Sequence, residues 1–186
     1  FYDALGSQLF DQITELPEYY LTRTELGLID QIALHLGPQL ADTEIVELGS
    51  GSSLKISKLL QCVPTTHLPS LRYVPVDVSP QALLQAATHL RRRFPQLPVD
   101  AILADFINQI GQLPKKTECS KRLVCFFGST LGNLLPTQCE RFFDDLGALL
   151  VPGDRFLLGV DLVKDRDVLE RAYNDAQQVT ARFNRN

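Results

Sequence analysis

The chain has 186 residues, 45% of them apolar and 22% charged, with a net charge of −4 and a pI near 5.4. That is length enough for one α/β domain with its own core, and the acidic balance argues against nucleic acid as a partner. No stretch reads as a membrane span or signal peptide, so no membrane partner is expected.

In chain order, the opening FYDALGSQLFDQI carries Leu5, Leu9, Phe10 and Ile13 at helical spacing. Pro17 interrupts it, and a second helix is predicted from about Thr24 until Gly37-Pro38 ends it. Strands and helices then alternate. Strands are predicted over 44–48, 71–78, 99–104, 122–127 and 156–160. Helices are predicted over 52–63, 80–94 and 136–150, and from about 165 to the end. Ser79-Pro80 is a strong helix start, with serine as N-cap and proline at the first helical position. The run Arg91-Arg92-Arg93 suits a helix C-terminus. RLVCFF, apolar on both faces, reads as an interior strand. This alternation predicts an α/β fold: an open parallel sheet of about five strands with helices on both faces. Residues 1–42 read as an N-terminal helical cap over the carboxyl edge of the sheet, where ligands bind in such folds, and 43–186 as the core.

The four cysteines, Cys62, Cys119, Cys125 and Cys139, form no C-x-x-C pair. They read as free thiols in a reducing cytoplasm, and no metal site is expected.

The stretch IVELGSGSSLK, residues 45–55, looks like a strand running into a ligand loop. A phosphate loop needs its lysine beside the last glycine, yet Lys55 stands four residues past Gly51. A dinucleotide fingerprint needs a third glycine where Leu54 stands. A Rossmann-like methyltransferase needs an acidic residue before G-x-G, and Glu47 precedes Gly49-Ser50-Gly51. It needs a second acid at the end of strand two for the ribose diol, and Asp77 ends VPVD 28 residues after Gly49. Asp105-Phe106 ends strand three, where a carboxylate and an aromatic can meet adenine. S-adenosylmethionine (SAM) has no phosphate, which accounts for glycines without a phosphate lysine. An aspartate after a strand is also an ordinary N-cap or turn residue, and that reading stays open for each station alone.

The segments FYDALGSQLFDQITELPEYYLTRTE, ELGSGSSLK, YVPVDVS, LADF, FFGSTLGN, PGDRFLLGVDLVKD and AYNDAQQVTARFNRN resemble, in this order, the SAM-dependent histidine-specific methyltransferases. These include the enzyme of ergothioneine biosynthesis that trimethylates the α-amine of L-histidine to hercynine. The resemblance implies that fold and chemistry, with SAM as cofactor, S-adenosylhomocysteine as product and L-histidine as small-molecule substrate. It implies that Gly49, Ser50, Gly51 and Lys55 lie against the amino-acid end of SAM, Asp77 holds the ribose, and Asp105 with Phe106 holds the adenine. Tyr2 would close over the cofactor. Tyr19 would meet the substrate imidazole, Asn133 and Tyr173 would bind the substrate's amino-acid head, and Tyr19 and Tyr173 are the candidate catalytic residues. The family continues past FNRN into further strands and a lid whose acidic residue and serine read the imidazole. A piece of a longer, monomeric, cytoplasmic enzyme is therefore expected.

Other readings of single residues stand beside these. Tyr19 and Tyr20 could pack a cap, and Tyr173 lies one helical turn after Leu169. Gly132-Asn133 is a common turn pair, with Asn tolerating left-handed backbone. Lys55 could be a solvated charge. His35, His67 and His89 match no motif and read as structural, and Asp144-Asp145 as a solvated helix face.

Overall fold

The computed structural model describes residues 4–114, 116 and 119–186. Its five strands are β1 (Thr43–Leu48), β2 (Arg72–Asp77), β3 (Ile102–Leu103), β4 (Lys121–Phe126) and β5 (Arg155–Leu158). They form one parallel sheet in the order β3-β2-β1-β4-β5. The helices are α1 (Ala4–Glu15), α2 (Tyr20–Leu36), α3 (Leu54–Gln61), α4 (Pro80–Arg93), α5 (Phe106–Gln109), α6 (Pro136–Leu149), α7 (Arg166–Tyr173) and α8 (Val179–Arg185).

The pleat divides the core, because alternate strand residues face opposite sides of the sheet. Ile45, Tyr73, Leu123 and Cys125 pack with Ile29 and Ala33 of α2, Ile56 and Leu60 of α3, and Leu90 of α4. Val46, Val74, Val124 and Phe126 pack on the other face with Phe106, Ile110, Phe142 and Leu146. A third cluster joins Leu9 and Ile13 of α1 to Tyr19, Leu21, Ala172 and Val179. The N-terminal segment thus enters two layers: α2 covers the sheet, and α1 packs on α8.

Three predicted elements differ. The strand expected over 99–104 is reduced to an isolated bridge at Val99 and the pair Ile102–Leu103. Tyr73 and Asp77 bond toward this side, through Pro98 O, Asp100 N and Ala104 N. Pro75 lies between them in the same orientation and has no N–H to give, so the ladder lapses there. The helix expected from 165 to the end is two helices. Asp175 accepts from the amides of Val179 and Thr180 at 2.9 and 2.8 Å, starting α8 afresh after left-handed Gln178. Finally, α2 starts at Tyr20, four residues earlier than expected. Arg23 donates to the carbonyls of Leu16 and Pro17 at 2.8 and 2.7 Å and fixes the turn that carries the chain into it.

At the amino end of the sheet, Glu44 of β1 and Arg122 of β4 are register partners. Their ion pair is 2.5 Å long, with side chains 5% and 3% exposed. Arg122 also donates to Pro114 O at 2.6 Å. Removing one partner strands a buried charge, which costs far more than replacing both. Arg122→Ala is expected to lose about 3–5 kcal/mol in urea unfolding, and Glu44→Leu/Arg122→Leu to recover most of it. A single-variant loss below about 1 kcal/mol, the level of a surface pair, contradicts this.

Candidate functional site

The chain leaves β1 through Gly49 at φ +66° and Gly51 at +48°, a left-handed course that favours glycine. Gly49 and Ser50 donate their amides to Val76 O, at 2.8 and 3.3 Å, which ties the loop to the end of β2. Asp77 finishes the tie: its two oxygens accept from Gly51 N at 3.1 Å and Ser79 N at 2.9 Å. A carboxylate offers about four lone-pair directions, so Asp77 can still accept from two hydroxyls. Ser50 Oγ is buried without a hydrogen-bond partner, a poised donor inside the loop.

Phe106 brings the third strand end to the same place. A Cβ on Gly49 would stand 3.4 Å from the Phe106 ring, van der Waals contact, so the ring lies against the loop; it is the left-handed backbone of residue 49 that favours glycine. Phe106 is buried edge-on to Phe126, with ring centroids 5.2 Å apart. Asp105 is an N-cap here, accepting from Ile107 N at 3.0 Å and from the Asn108 side chain at 2.7 Å. The turn-residue reading of Asp105 therefore holds; it leaves the carboxylate partly exposed at the edge of the sheet.

Lys55 is not a solvated charge. It pairs with Glu25 of α2 at 2.7 Å, and the two side chains are 23% and 14% exposed. Both Glu25 oxygens accept from Gly128 N, at 2.8 and 3.0 Å, just past β4. A Cβ on Gly159, just past β5, would overlap Glu25 Oε1. Sequence reasoning gave Glu25 no role. It lies inside LPEYYLTRTE, but its partners are 30 and 103 residues away, beyond the reach of any local spacing.

On the cap side, Tyr19 and Tyr173 meet edge to face with centroids 6.0 Å apart; Tyr19 is buried and Tyr173 50% exposed. Beside them Tyr20 donates to Asp161 at 2.5 Å, Asp161 takes a second bond from Lys164, and the Lys164 ammonium stands 4.8 Å from the Tyr20 ring centre. This cluster also went unseen as a unit, because Tyr20 and Asp161 are 141 residues apart. Burial raises the Tyr173 pKa, and the charge of Asp161 adds to it. Burial works against the Asp161 charge, but the bonds from Lys164 and Tyr20 outweigh it and lower its pKa. Asn133 ends the turn Thr130–Asn133 and is exposed. The left-handed residues of that loop are Gly128 and Ser129, not Asn133. A groove of about 170 Å³ opens between α2 and the ends of β4 and β5, lined by Tyr20, Glu25, Leu28, Gly128, Ser129 and Asp161 among others. Tyr2 lies outside the described residues. His89 Nδ1 stands 3.3 Å from Ser53 Oγ, and Cys125 is buried in the core.

The loop–helix geometry, the acid at the end of β2 and the aromatic at the end of β3 fit a cofactor with a ribose and no phosphate. The family profile described as "Histidine-specific methyltransferase, SAM-dependent" matches residues 1–186. The chain belongs to the SAM-dependent histidine-specific methyltransferase family. Within it, the chain is 45% identical over 186 residues to the histidine N-alpha-methyltransferase of Mycolicibacterium smegmatis. It is 43% identical over 187 aligned residues to the protein of that name from Mycobacterium tuberculosis. Both alignments cover the whole of this chain and 57% of the relative, so the chain spans little more than half the length of these relatives. Among solved structures, a DUF574 family protein from Streptomyces avermitilis superposes with a TM-score of 0.67 at 16% identity. That match covers 95% of this chain and 68% of the other, and shows the shared fold. The sheet and helices of this methyltransferase family member are Rossmann-like, as expected from the sequence.

The acid of the E-x-G-x-G motif, Glu47, is fully enclosed beneath the loop and accepts the Tyr73 hydroxyl. Burial drives its pKa up to about 8; the bond from Tyr73 and the charge of Lys55 oppose the rise without reversing it. The folded state therefore holds a proton on Glu47 across a range in which the unfolded chain, at about 4.5, has lost it. Stability must then fall as pH rises from about 4.5 to about 8. Urea unfolding at several pH values is expected to show this decline, and Glu47→Gln to flatten it. A wild-type profile rising across that window, or a variant with the same slope, contradicts the assignment.

Proposed function

We propose that the whole protein uses SAM to methylate the α-amine of L-histidine, carrying it to the trimethylated product hercynine, in the cytoplasm and as a monomer. The observation that carries this reading is the convergence of the Gly49–Gly51 loop, Asp77 and Phe106 at the carboxyl edge of the sheet, with the Tyr19–Tyr173 pair within the field of Asp161, which follows β5. Family membership and the 45% identical relative named a histidine N-alpha-methyltransferase support the choice of acceptor. The four free cysteines agree with a reducing compartment.

When bound, SAM supplies an electrophilic methyl on a sulfonium with a neutral leaving group. The residues here have the matching tasks. Gly49, Ser50 and Gly51 offer backbone and a free hydroxyl to the amino-acid end, with Lys55 alongside. Asp77 accepts from the ribose diol through its remaining lone pairs. Asp105 and Phe106 flank the adenine. Tyr2 would close over the cofactor, Tyr19 would meet the imidazole, and Asn133 and Tyr173 would bind the acceptor's amino-acid head. Such catalysis is mostly proximity and alignment, so hydroxyl and amide groups suffice. The α-ammonium must shed a proton first. Burial and the charge of Asp161 raise the Tyr173 pKa, which suits it to hold the substrate as a hydroxyl; Tyr19, Tyr173 or water is the candidate to accept or relay that proton.

Full-length protein with SAM and a panel of amino acids, read by mass spectrometry, is expected to give mono-, di- and trimethylhistidine. Methylation of another amine but not histidine overturns the acceptor and keeps the chemistry. Calorimetry without SAM binding overturns the reading as a whole. Asp77→Asn, which keeps one accepting oxygen, should weaken SAM binding about ten-fold, and Asp77→Ala more.

A further inference from the structure

We propose that Glu25 is a positioning residue that sets the charge at the cofactor's amino-acid end. It pins Lys55 over the Gly128 turn and neutralises it, so that the lysine can hydrogen-bond the cofactor without opposing its sulfonium. The inference rests on the reading that SAM lies against Gly49–Gly51.

The carboxylate is held from four elements. It leaves α2, pairs with Lys55 of α3 at 2.7 Å, and takes the Gly128 amide on both oxygens. The backbone at Gly159 closes over it so tightly that no Cβ fits. Lys55 in turn stands over Gly128, its Nζ 3.2 Å from where a Cβ there would be. A side chain placed only to tie α2 to α3 needs none of the contacts at Gly128 and Gly159. These contacts fix Glu25 and Lys55 as a unit between the loops that follow β1, β4 and β5.

The electrostatics give that unit a purpose. SAM carries a carboxylate, an ammonium and a sulfonium, for a net charge of +1. Three carbons separate its carboxylate from its sulfur, so a cation near the carboxylate is also within several ångströms of the sulfonium. Two such positive charges about 7 Å apart, at the effective dielectric of a partly buried site, oppose each other enough to change affinity about ten-fold or more. Glu25 cancels that field at its source. S-adenosylhomocysteine has a neutral thioether in the same place, so its binding should hardly register the difference.

The ratio of the two affinities therefore isolates the electrostatic role. Calorimetry on full-length protein is expected to show Glu25→Gln weakening SAM about ten-fold and S-adenosylhomocysteine about two-fold or less. Lys55→Met, which leaves Glu25 uncompensated, should shift the ratio the opposite way, toward SAM, even as both ligands bind less tightly. Should Glu25→Gln fail to fold, this second variant decides alone. Equal losses for both ligands, or a ratio unmoved by Lys55→Met, would assign Glu25 to structure only and overturn the proposal. Wild-type protein that binds neither ligand would overturn the cofactor reading, and the proposal with it.

Discussion

Everything at the carboxyl edge depends on the burial of β1. All six of its residues are buried, and it ladders to β2 on one side and β4 on the other. A strand held on both edges and both faces has no freedom of register, because a slip of one residue would exchange its two faces. The loops that leave β1, β2 and β4 are therefore fixed relative to one another. The bonds from Gly49 and Ser50 to Val76, and from Gly51 to Asp77, are extensions of that ladder past the last strand residue.

The same strand buries two glutamates and treats them in opposite ways. Glu44 points to the face where Arg122 waits and stays an anion by pairing. Glu47 points to the other face, toward a tyrosine, and burial there favours its neutral form. The difference follows from the partner, since an isolated buried charge shifts its pKa rather than stay ionised. A neutral Glu47 can accept the Tyr73 hydroxyl while adding no charge beneath the loop.

Much of this was legible in the sequence. The alternation of apolar runs with Gly, Pro and Ser punctuation marked all five strands, and Ser79-Pro80 began α4 as expected, its hydroxyl accepting from Ala82 N at 3.2 Å. What escaped depends on contacts rather than patterns. The lapse of β3 needed the direction in which Pro75 faces, and the break between α7 and α8 needed the Asp175 cap. The glycine loop, Asp77 and Phe106 were readable because each closes a strand. Glu25 and Asp161 were not, since each has a deciding partner more than 100 residues away, Gly128 for Glu25 and Tyr20 for Asp161.

The tyrosine cluster has a practical consequence. The chain contains no tryptophan and five tyrosines. Tyr19, Tyr20 and Tyr173 sit together on the cap side, while Tyr73 is buried against Glu47. Ultraviolet emission from these 186 residues is thus dominated by phenols, and three of the five stand where substrate is proposed to enter. This stretch of chain carries its own optical reporter, so occupancy of that corner can be followed in it by intrinsic fluorescence without attaching a dye.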